Sequence, residues 1–260
     1  MPLLFQVLSS GSKGNSILVC SHKTQILLDA GLSAKELVAR LNRSIKQGCR
    51  LDAVVVSHEH QDHVRGVGVL SRRFDLPVYL SQGTLDNIPP QVGQFSFVQI
   101  FRPGVSFTIG DLHLQPFAIS HDAGEPAGFI IQNGASRLAV CTDLGTVTHL
   151  VKTKLQDCHG LIIEANHDTE MLLNGPYPWY LKQRIRSRHG HLSNVETCAL
   201  LQEIYHPELQ AVVFAHMSET NNHPEVASRC FQELCTVDEW HTVRFEIGLQ
   251  YDLTPAFELA

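Results

Sequence analysis

The segment Ser57-His58-Glu59-His60-Gln61-Asp62-His63 follows directly on the apolar run Asp52–Val56, and its reading governs the rest of the chain. Successive side chains of an extended segment alternate, so His58 and His60, two apart, project to the same side. Asp62 and His63 come where the pattern turns from strand to helix, and they can point to a second centre close by. Three imidazoles and a carboxylate on one loop suit Zn²⁺, Mn²⁺ or Fe²⁺ and suit Ca²⁺ poorly, which prefers oxygen ligands. The alternative is a chance cluster of solvated polar residues. With 15 histidines in 260 residues, the His-x-His-x-Asp-His spacing arises by accident on the order of once in 400 such sequences. Chance is the weaker explanation, and the excess of histidine, the commonest side-chain metal ligand, points the same way.

Outward from the motif, Met1–Leu8 reads as a first strand, and with no basic stretch at its start it is not a signal peptide. β-Branched or apolar runs predict further strands at Ser16–Cys20, Gln25–Asp29, Asp52–Ser57, Val78–Ser81 and Phe95–Phe101. Helical patterns interrupt them at Ser33–Lys46 and Asp62–Phe74. Two hairpins follow, Ser106–Ile119 with Gly110-Asp111 at its turn and Gly128–Cys141 with Asn133-Gly134 at its turn. Beyond Asp143 the texture alternates. Helices are predicted at Thr146–Leu155, Asn194–Tyr205 and Pro224–Leu234, and strands at Gly160–Ala165, Leu209–Ala215 and Thr242–Ile247. Two β-rich halves, each with outer helices, predict an α/β fold, a four-layer αβ/βα sandwich. Its length of 260 residues is near the upper end of what one core supports, so residues 1–260 are read as one domain.

An apolar fraction of 43% and a charged fraction of 18% are those of an ordinary globular protein, and no apolar run is long enough to cross a bilayer. Seven scattered cysteines without a CxxC pair argue for reduced thiols and a cytoplasmic location. At a net charge of −6, nucleic-acid binding needs a local basic patch. One candidate is Leu181–Asn194, where Lys182, Arg184, Arg186 and Arg188 fall within seven positions. Ser193-Asn194 can cap the following helix, whose free N–H groups would accept a phosphate, with His191 beside them as a general acid. This makes Arg186, Arg188, Ser193 and Asn194 candidate substrate-binding residues; the alternative is a solvated basic helix face with a plain Ser cap. Ser9–Ser16 is a glycine-rich turn that is either flexible or part of a site rim. Ile163-Glu164-Ala165-Asn166-His167-Asp168 is polar after an apolar strand and reads as support behind ligands, not as ligands.

The His58–His63 motif resembles the signature of the metallo-β-lactamase superfamily, and the other stations of that family follow in order. Leu28-Asp29-Ala30-Gly31 is similar to its early Asp-x-Gly, where the aspartate orders the metal loop without ligating. Ser120-His121-Asp122 ahead of Gly128-Phe129 resembles the histidine station of the phosphodiesterase branch, Cys141-Thr142-Asp143 the bridging aspartate, and Ala215-His216-Met217-Ser218 the last metal histidine. The resemblance implies one ion at His58, His60 and His121, another at Asp62, His63 and His216, and Asp143 between them. A water shared by two such ions loses a proton near neutral pH and becomes a bridging hydroxide nucleophile, which Asp62 would orient as well as ligate. His191 is similar to the non-ligand catalytic histidine of that branch.

No cysteine stands at a ligand station, unlike in the antibiotic-hydrolysing members. The 22 positions from His121 to Asp143 and the 73 from Asp143 to His216 leave no space for the arm or inserted domain of the larger RNA-processing relatives. With Ser-Gly-Ser-Lys-Gly-Asn-Ser, Thr-Asp-Leu-Gly and Gly-His-Leu-Ser-Asn, nearly the whole chain is similar to the YycJ/WalJ-like subgroup. That resemblance implies a dinuclear phosphodiesterase, an exonuclease on DNA, with Zn, Mn or Fe as cofactor. The competing activity is hydrolysis of a small cyclic phosphodiester. A thioester hydrolase fits the His121-to-Asp143 pattern less well, and an inactive metal-binding module is hard to support with every ligand station filled.

Overall fold

The computed structural model describes residues 2–45, 50–234 and 238–260. One sheet is built from β1 (Leu3–Ser9), β2 (Ser16–Cys20), β3 (Gln25–Leu28), β4 (Ala53–Val55), β5 (Pro77–Ser81) and β6 (Phe97–Phe101). The other is built from β7 (Phe107–Ile109), β8 (Leu112–Ala118), β9 (Ala127–Asn133), β10 (Ser136–Cys141), β11 (Gly160–Glu164), β12 (Ala211–Ala215) and β13 (Arg244–Ile247). A last strand, β14 (Phe257–Leu259), returns to pair with β1, so the two seven-stranded sheets run β14-β1-β2-β3-β4-β5-β6 and β13-β12-β11-β10-β9-β8-β7. In each sheet an antiparallel meander gives way to a parallel half, β3 to β6 in the first and β10 to β13 in the second.

The helices are α1 (Ala34–Leu41), α2 (Gln61–Val64), α3 (Val67–Phe74), α4 (Gln82–Asn87), α5 (His149–Leu155), α6 (Thr169–Asn174), α7 (Trp179–Ile185), α8 (Asn194–Ile204) and α9 (Pro224–Leu234). Alternation sorts the strand residues into layers. Phe5, Ile26 and Val55 of the first sheet meet Phe129, Ile162 and Val213 of the second in a core between the sheets. The opposite faces pack outward, Leu18, Leu27 and Val54 against Leu37, Val67 and Leu70, and Leu161 and Val212 against Val151, Leu201 and Phe231. β11 and β12 are therefore buried at every position, which is why both read as continuous apolar runs. The result is the four-layer αβ/βα sandwich expected from the sequence.

Several boundaries differ from the sequence reading. The helix expected over Ser33–Lys46 closes at Leu41 with Asn42 as C-cap, and Lys46 lies outside the described residues, as do Cys49 and Cys235. The helix expected over Asp62–Phe74 is two helices, because the Gly66 N–H leaves the helical ladder for the Ala30 carbonyl at 2.7 Å. In the second hairpin Ser136 pairs with Asn133, so the turn pair is Gly134-Ala135, one position later than expected. Gly134 alone of that pair has a positive φ, 62°, the requirement of a II′ turn and not of the I′ turn expected from Asn-Gly. α4 and β14 carry patterns too short to be predicted. No disulfide joins the described cysteines, and among the described residues no helix is long and apolar enough to cross a membrane.

Candidate metal centre and active site

The parallel halves of both sheets deliver their C-terminal ends to one edge of the sandwich, and the polar residues gather on the segments leaving those ends. Asp29 follows β3, the His58–His63 loop follows β4, His121 follows β8, Asp143 follows β10, Glu164 ends β11 and His216 follows β12. Three of these residues bend the chain sharply, with left-handed φ of 59° at Asp29, 57° at Asp143 and 53° at His216. Such backbone costs on the order of 1 kcal/mol or more per residue, which one buried Phe or Leu of the adjoining core offsets.

Asp29 anchors the motif. Its Oδ1 accepts the Ser57 N–H at 2.8 Å, and its Oδ2 accepts the Ser57 hydroxyl and His63 Nδ1–H, both at 2.7 Å. The glycine-rich turn closes from the other side. The Asn15 N–H donates to the Asp62 carbonyl at 2.7 Å, and Asn15 Nδ2 lies 3.1 Å from Asp62 Oδ2 and 3.1 Å from His63 Nε2. Gly31 lets these segments meet, since a Cβ there would fall 1.6 Å from the Asp62 carbonyl oxygen.

Held this way, the side chains converge in two places. His58 Nε2 lies 3.1 Å from His60 Nδ1, which lies 3.2 Å from His121 Nε2. The far nitrogen of His58 faces the Ser57 hydroxyl at 3.0 Å, and that of His121 faces the Gly190 carbonyl at 3.3 Å. The Gly190 oxygen can only accept, so His121 keeps its proton on Nδ1 and aims a lone pair at its neighbours. Ligand atoms around a tetrahedral Zn²⁺ with bonds near 2.05 Å are about 3.3 Å apart, close to the spacing here. In the second place Asp62 Oδ2 is 3.4 Å from His63 Nε2 and 3.3 Å from His216 Nε2. Between them sits Asp143, its Oδ2 3.2 Å from His63 Nε2 and its Oδ1 3.4 Å from His216 Nδ1. Asp143 Oδ2 is buried and, apart from the His63 contact, has no hydrogen-bond donor, so its lone pairs are open to a cation. The donor set fits divalent transition metals.

Burial pushes the His58 imidazole well below its ordinary pKa, with His63 adding to it, and burial lowers His121 against the pull of Asp143. Both are therefore neutral, the form that ligates. Burial acts the same way on His63 and His216, but Asp143, then Asp62 and Asp29 around His63, and Asp62 and Glu164 around His216, raise both well above the usual value. The carboxyls of Asp62 and Asp143 are held well below theirs despite burial, mainly by His63 and His216. A cation entering at Asp62, His63 and His216 must therefore displace two imidazole protons.

Glu164, read from the sequence only as support, is the hub of the far side. Its Oε1 accepts from His191 Nδ1 and His216 Nδ1, each at 2.8 Å, and its Oε2 accepts the Leu144 and Leu192 N–H groups at 2.8 and 3.1 Å. Burial would raise this carboxyl, yet His191 and the two imidazole hydrogen bonds hold it at about 2. Asp143, Glu164, His191 and His216 also bring ligand atoms within 4.8 Å of one another. The nitrogens concerned there are the two Nδ1 atoms already donating to Glu164, which leaves His216 Nε2 facing Asp62 and His191 Nε2 for the adjoining cleft. The supporting role expected for the Glu164 segment is what Glu164 performs, whereas Asn15 was not singled out because only its glycine spacing marked it.

The basic run is placed differently from the sequence reading. Lys182 is buried and donates to the Leu173 and Gly175 carbonyls, each at 2.7 Å, so it clamps a loop and meets no substrate. Arg184 is engaged by Asp122 through Nε at 2.7 Å and Nη2 at 2.6 Å. Ser193 and Asn194 are buried, which corrects their reading as substrate contacts. The Ser193 hydroxyl and the Glu196 carboxylate form a capping box that engages the Glu196 and Ser193 N–H groups, the Asn194 N–H goes to the His167 carbonyl, and the Asn194 side chain pairs with Asn222. Arg186 and Arg188 stay exposed, on a loop whose Arg188 carbonyl is held by the Ser120 and Thr146 hydroxyls beside the site.

Residues 24–217 match the beta-lactamase superfamily domain, and the chain belongs to that superfamily. It is 37% identical over 229 residues to the exodeoxyribonuclease YycJ of Bacillus anthracis, covering 87% of each chain. It is 34% identical over 256 residues to the exodeoxyribonuclease WalJ of Streptococcus pneumoniae, covering 96% of this chain and 94% of the relative. Among solved structures, the metallo-beta-lactamase fold protein YhfI from Bacillus subtilis superposes with a TM-score of 0.72 at 17% identity, covering 99% of both chains.

Proposed function

We propose that this chain is a dinuclear metal-dependent exonuclease that hydrolyses phosphodiester bonds of DNA. The observation that carries the reading is the convergence of the His58, His60 and His121 nitrogens, with Asp143 reaching toward them through Oδ1, 3.7 Å from His121 Nε2, and toward His63 through Oδ2. In this reading His58, His60 and His121 hold one ion, Asp62, His63 and His216 the other, and Asp143 spans both. Two such ions, Zn²⁺, Mn²⁺ or Fe²⁺, would supply an acidified water as nucleophile and a counter-charge for the phosphoryl oxygens. Asp62, steadied by Asn15, orients the attacking oxygen. His191, fixed through Nδ1 by Glu164, presents Nε2 to the leaving alkoxide as its proton donor. DNA is supported by the activity for which the two relatives are named and by the free Arg186 and Arg188 beside the site. The reading places the protein in the cytoplasm, where its thiols stay reduced.

The test is nuclease action on linear duplex DNA by protein purified without chelator, with metal content measured alongside. The wild-type protein should carry two transition-metal equivalents and release mononucleotides, and Asp143→Ala should lose both properties together. Arg186→Ala and Arg188→Ala should each flatten the log–log salt dependence of DNA binding by roughly one unit, the share of one phosphate contact. Opening of cyclic nucleotides by a protein inert toward DNA would replace this reading with the small-diester one.

A further inference from the structure

Beside His191 lies a cleft of about 170 Å³ that the metal chemistry does not use. Tyr177, Leu181 and Ile185 supply its apolar lining, and Asn166 and His191 line it as well. The Asp122–Arg184 ion pair is also part of its lining. The volume falls short of the roughly 300–1,000 Å³ of sites that enclose a drug-sized ligand, and it admits no duplex. It suits one planar ring system with an edge to be read.

The wall is built rigidly. Tyr177 stands between Pro176 and Pro178, which fix their own φ and restrict the residue before each of them to extended backbone. The preceding turn is tied down by the buried Lys182, whose ammonium donates to the Leu173 and Gly175 carbonyls. Gly175 in turn packs so closely on the buried Asn221 that a Cβ there would lie 2.5 Å from its Oδ1. A half-buried aromatic ring thus borders the cleft on a backbone with little freedom. Asn166, also in the lining, is buried and its Nδ2 donates to the His216 carbonyl at 2.9 Å. Its Oδ1 has no donor among the described residues and is left to the cleft.

We propose that this cleft is a base subsite, holding the nucleobase of a single unpaired terminal nucleotide stacked on Tyr177, with Asn166 Oδ1 accepting from an N–H on the base edge. The inference rests on the DNA-nuclease reading and adds to it that the end of the substrate enters one nucleotide at a time. Stacking on an aromatic ring is tolerant of base identity, so the site grips any terminal base more than it discriminates among them.

The metal-loaded protein is titrated calorimetrically with dAMP and with 2-deoxyribose 5-phosphate, which share the sugar phosphate and differ in the base. The wild-type protein should prefer dAMP by roughly five- to a hundredfold, the range of one base–aromatic stack. Tyr177→Phe should keep that preference, and Tyr177→Ala should cut it by at least roughly fivefold, to what the Asn166 hydrogen bond alone supplies. In parallel, wild-type protein is given duplexes with an intact or an abasic terminal nucleotide, and the abasic end should raise KM by a similar factor. Equal affinity for the two small ligands, or a preference undiminished in Tyr177→Ala, overturns the subsite. Equal degradation of intact and abasic ends overturns it while leaving the nuclease reading standing. A protein inert toward DNA that still prefers dAMP through Tyr177 retains the base subsite and loses the nuclease reading.

Discussion

Glu164→Gln removes a charge and almost no volume, and its effect follows from four contacts. One carboxylate oxygen accepts two imidazole N–H groups and the other accepts two backbone N–H groups, all within 3.1 Å in a fully buried site. An amide has one accepting oxygen and one NH₂ group, so it satisfies only one of these pairs. With the carbonyl toward His191 and His216, the NH₂ group confronts the Leu144 and Leu192 N–H groups. Two buried donors go unpaired, at about 1–3 kcal/mol each. For a chain of this size a loss of about 2–6 kcal/mol lowers Tm by roughly 5–20 °C. With the amide turned round, both imidazoles must accept at Nδ1 and carry their protons on Nε2. On His216 that is the nitrogen facing Asp62, so metal affinity at the second position should fall about 10- to 100-fold, as when a partner behind a ligand is lost. Thermal melting of the metal-free variant and chelator competition with Zn²⁺ read the two outcomes separately. A variant within a degree of the wild-type Tm and within twofold of its metal affinity would refute the hub role of Glu164.

His191→Ala should keep both metals while turnover falls by roughly 10²–10⁴, the usual contribution of a general acid; loss of metal on elemental analysis would make His191 a ligand instead. Gly31→Ala drives a methyl group into the Asp62 backbone and should destabilise by about 2 kcal/mol or more, with less than a full complement of metal on analysis; an unchanged melt and full metal would disprove the tight docking of that loop. The metal-free protein should lose stability on the acid side. The Glu164 carboxyl titrates at about 2 folded against an ordinary 4.5, so its contribution is complete above 4.5 and drains away as pH falls toward 2, which melting curves across that window detect. His63 and His216, raised when folded, contribute the opposite slope, stability that fades as pH climbs through their folded values.

The layered fold was legible because burial leaves a periodic trace: β2 and α9 fall on the residues their patterns mark, and β11, covered on both faces, is a continuous apolar run. Convergence of His58, His60, Asp62, His63, His121, Asp143 and His216 was expected from the resemblance to the family's ligand stations, and it is favoured because each lies where a strand gives out. Contacts across the fold left no such trace. Nothing local distinguishes Lys182, which neutralises two loop carbonyls, from Arg186, which faces solvent. Ser193 and Asn194 carried a helix-start signal that was sound for the helix and misleading for the ligand, because the Ser193 hydroxyl and the His167 carbonyl already accept the Glu196 and Asn194 N–H groups. Glu164 and Asn15 act on partners far along the chain, and no spacing rule links them.

The left-handed backbone at Asp29, Asp143 and His216 sets folding and chemistry in opposition at the same three positions. Glycine is the residue such dihedrals favour, yet glycine carries neither a carboxylate nor an imidazole. Under selection for heat resistance with catalysis relaxed, these positions should drift to glycine or asparagine sooner than the apolar residues between the sheets. A thermostable descendant obtained in that way would keep its architecture and lose its metals, so stability screens alone would steer engineering away from the activity.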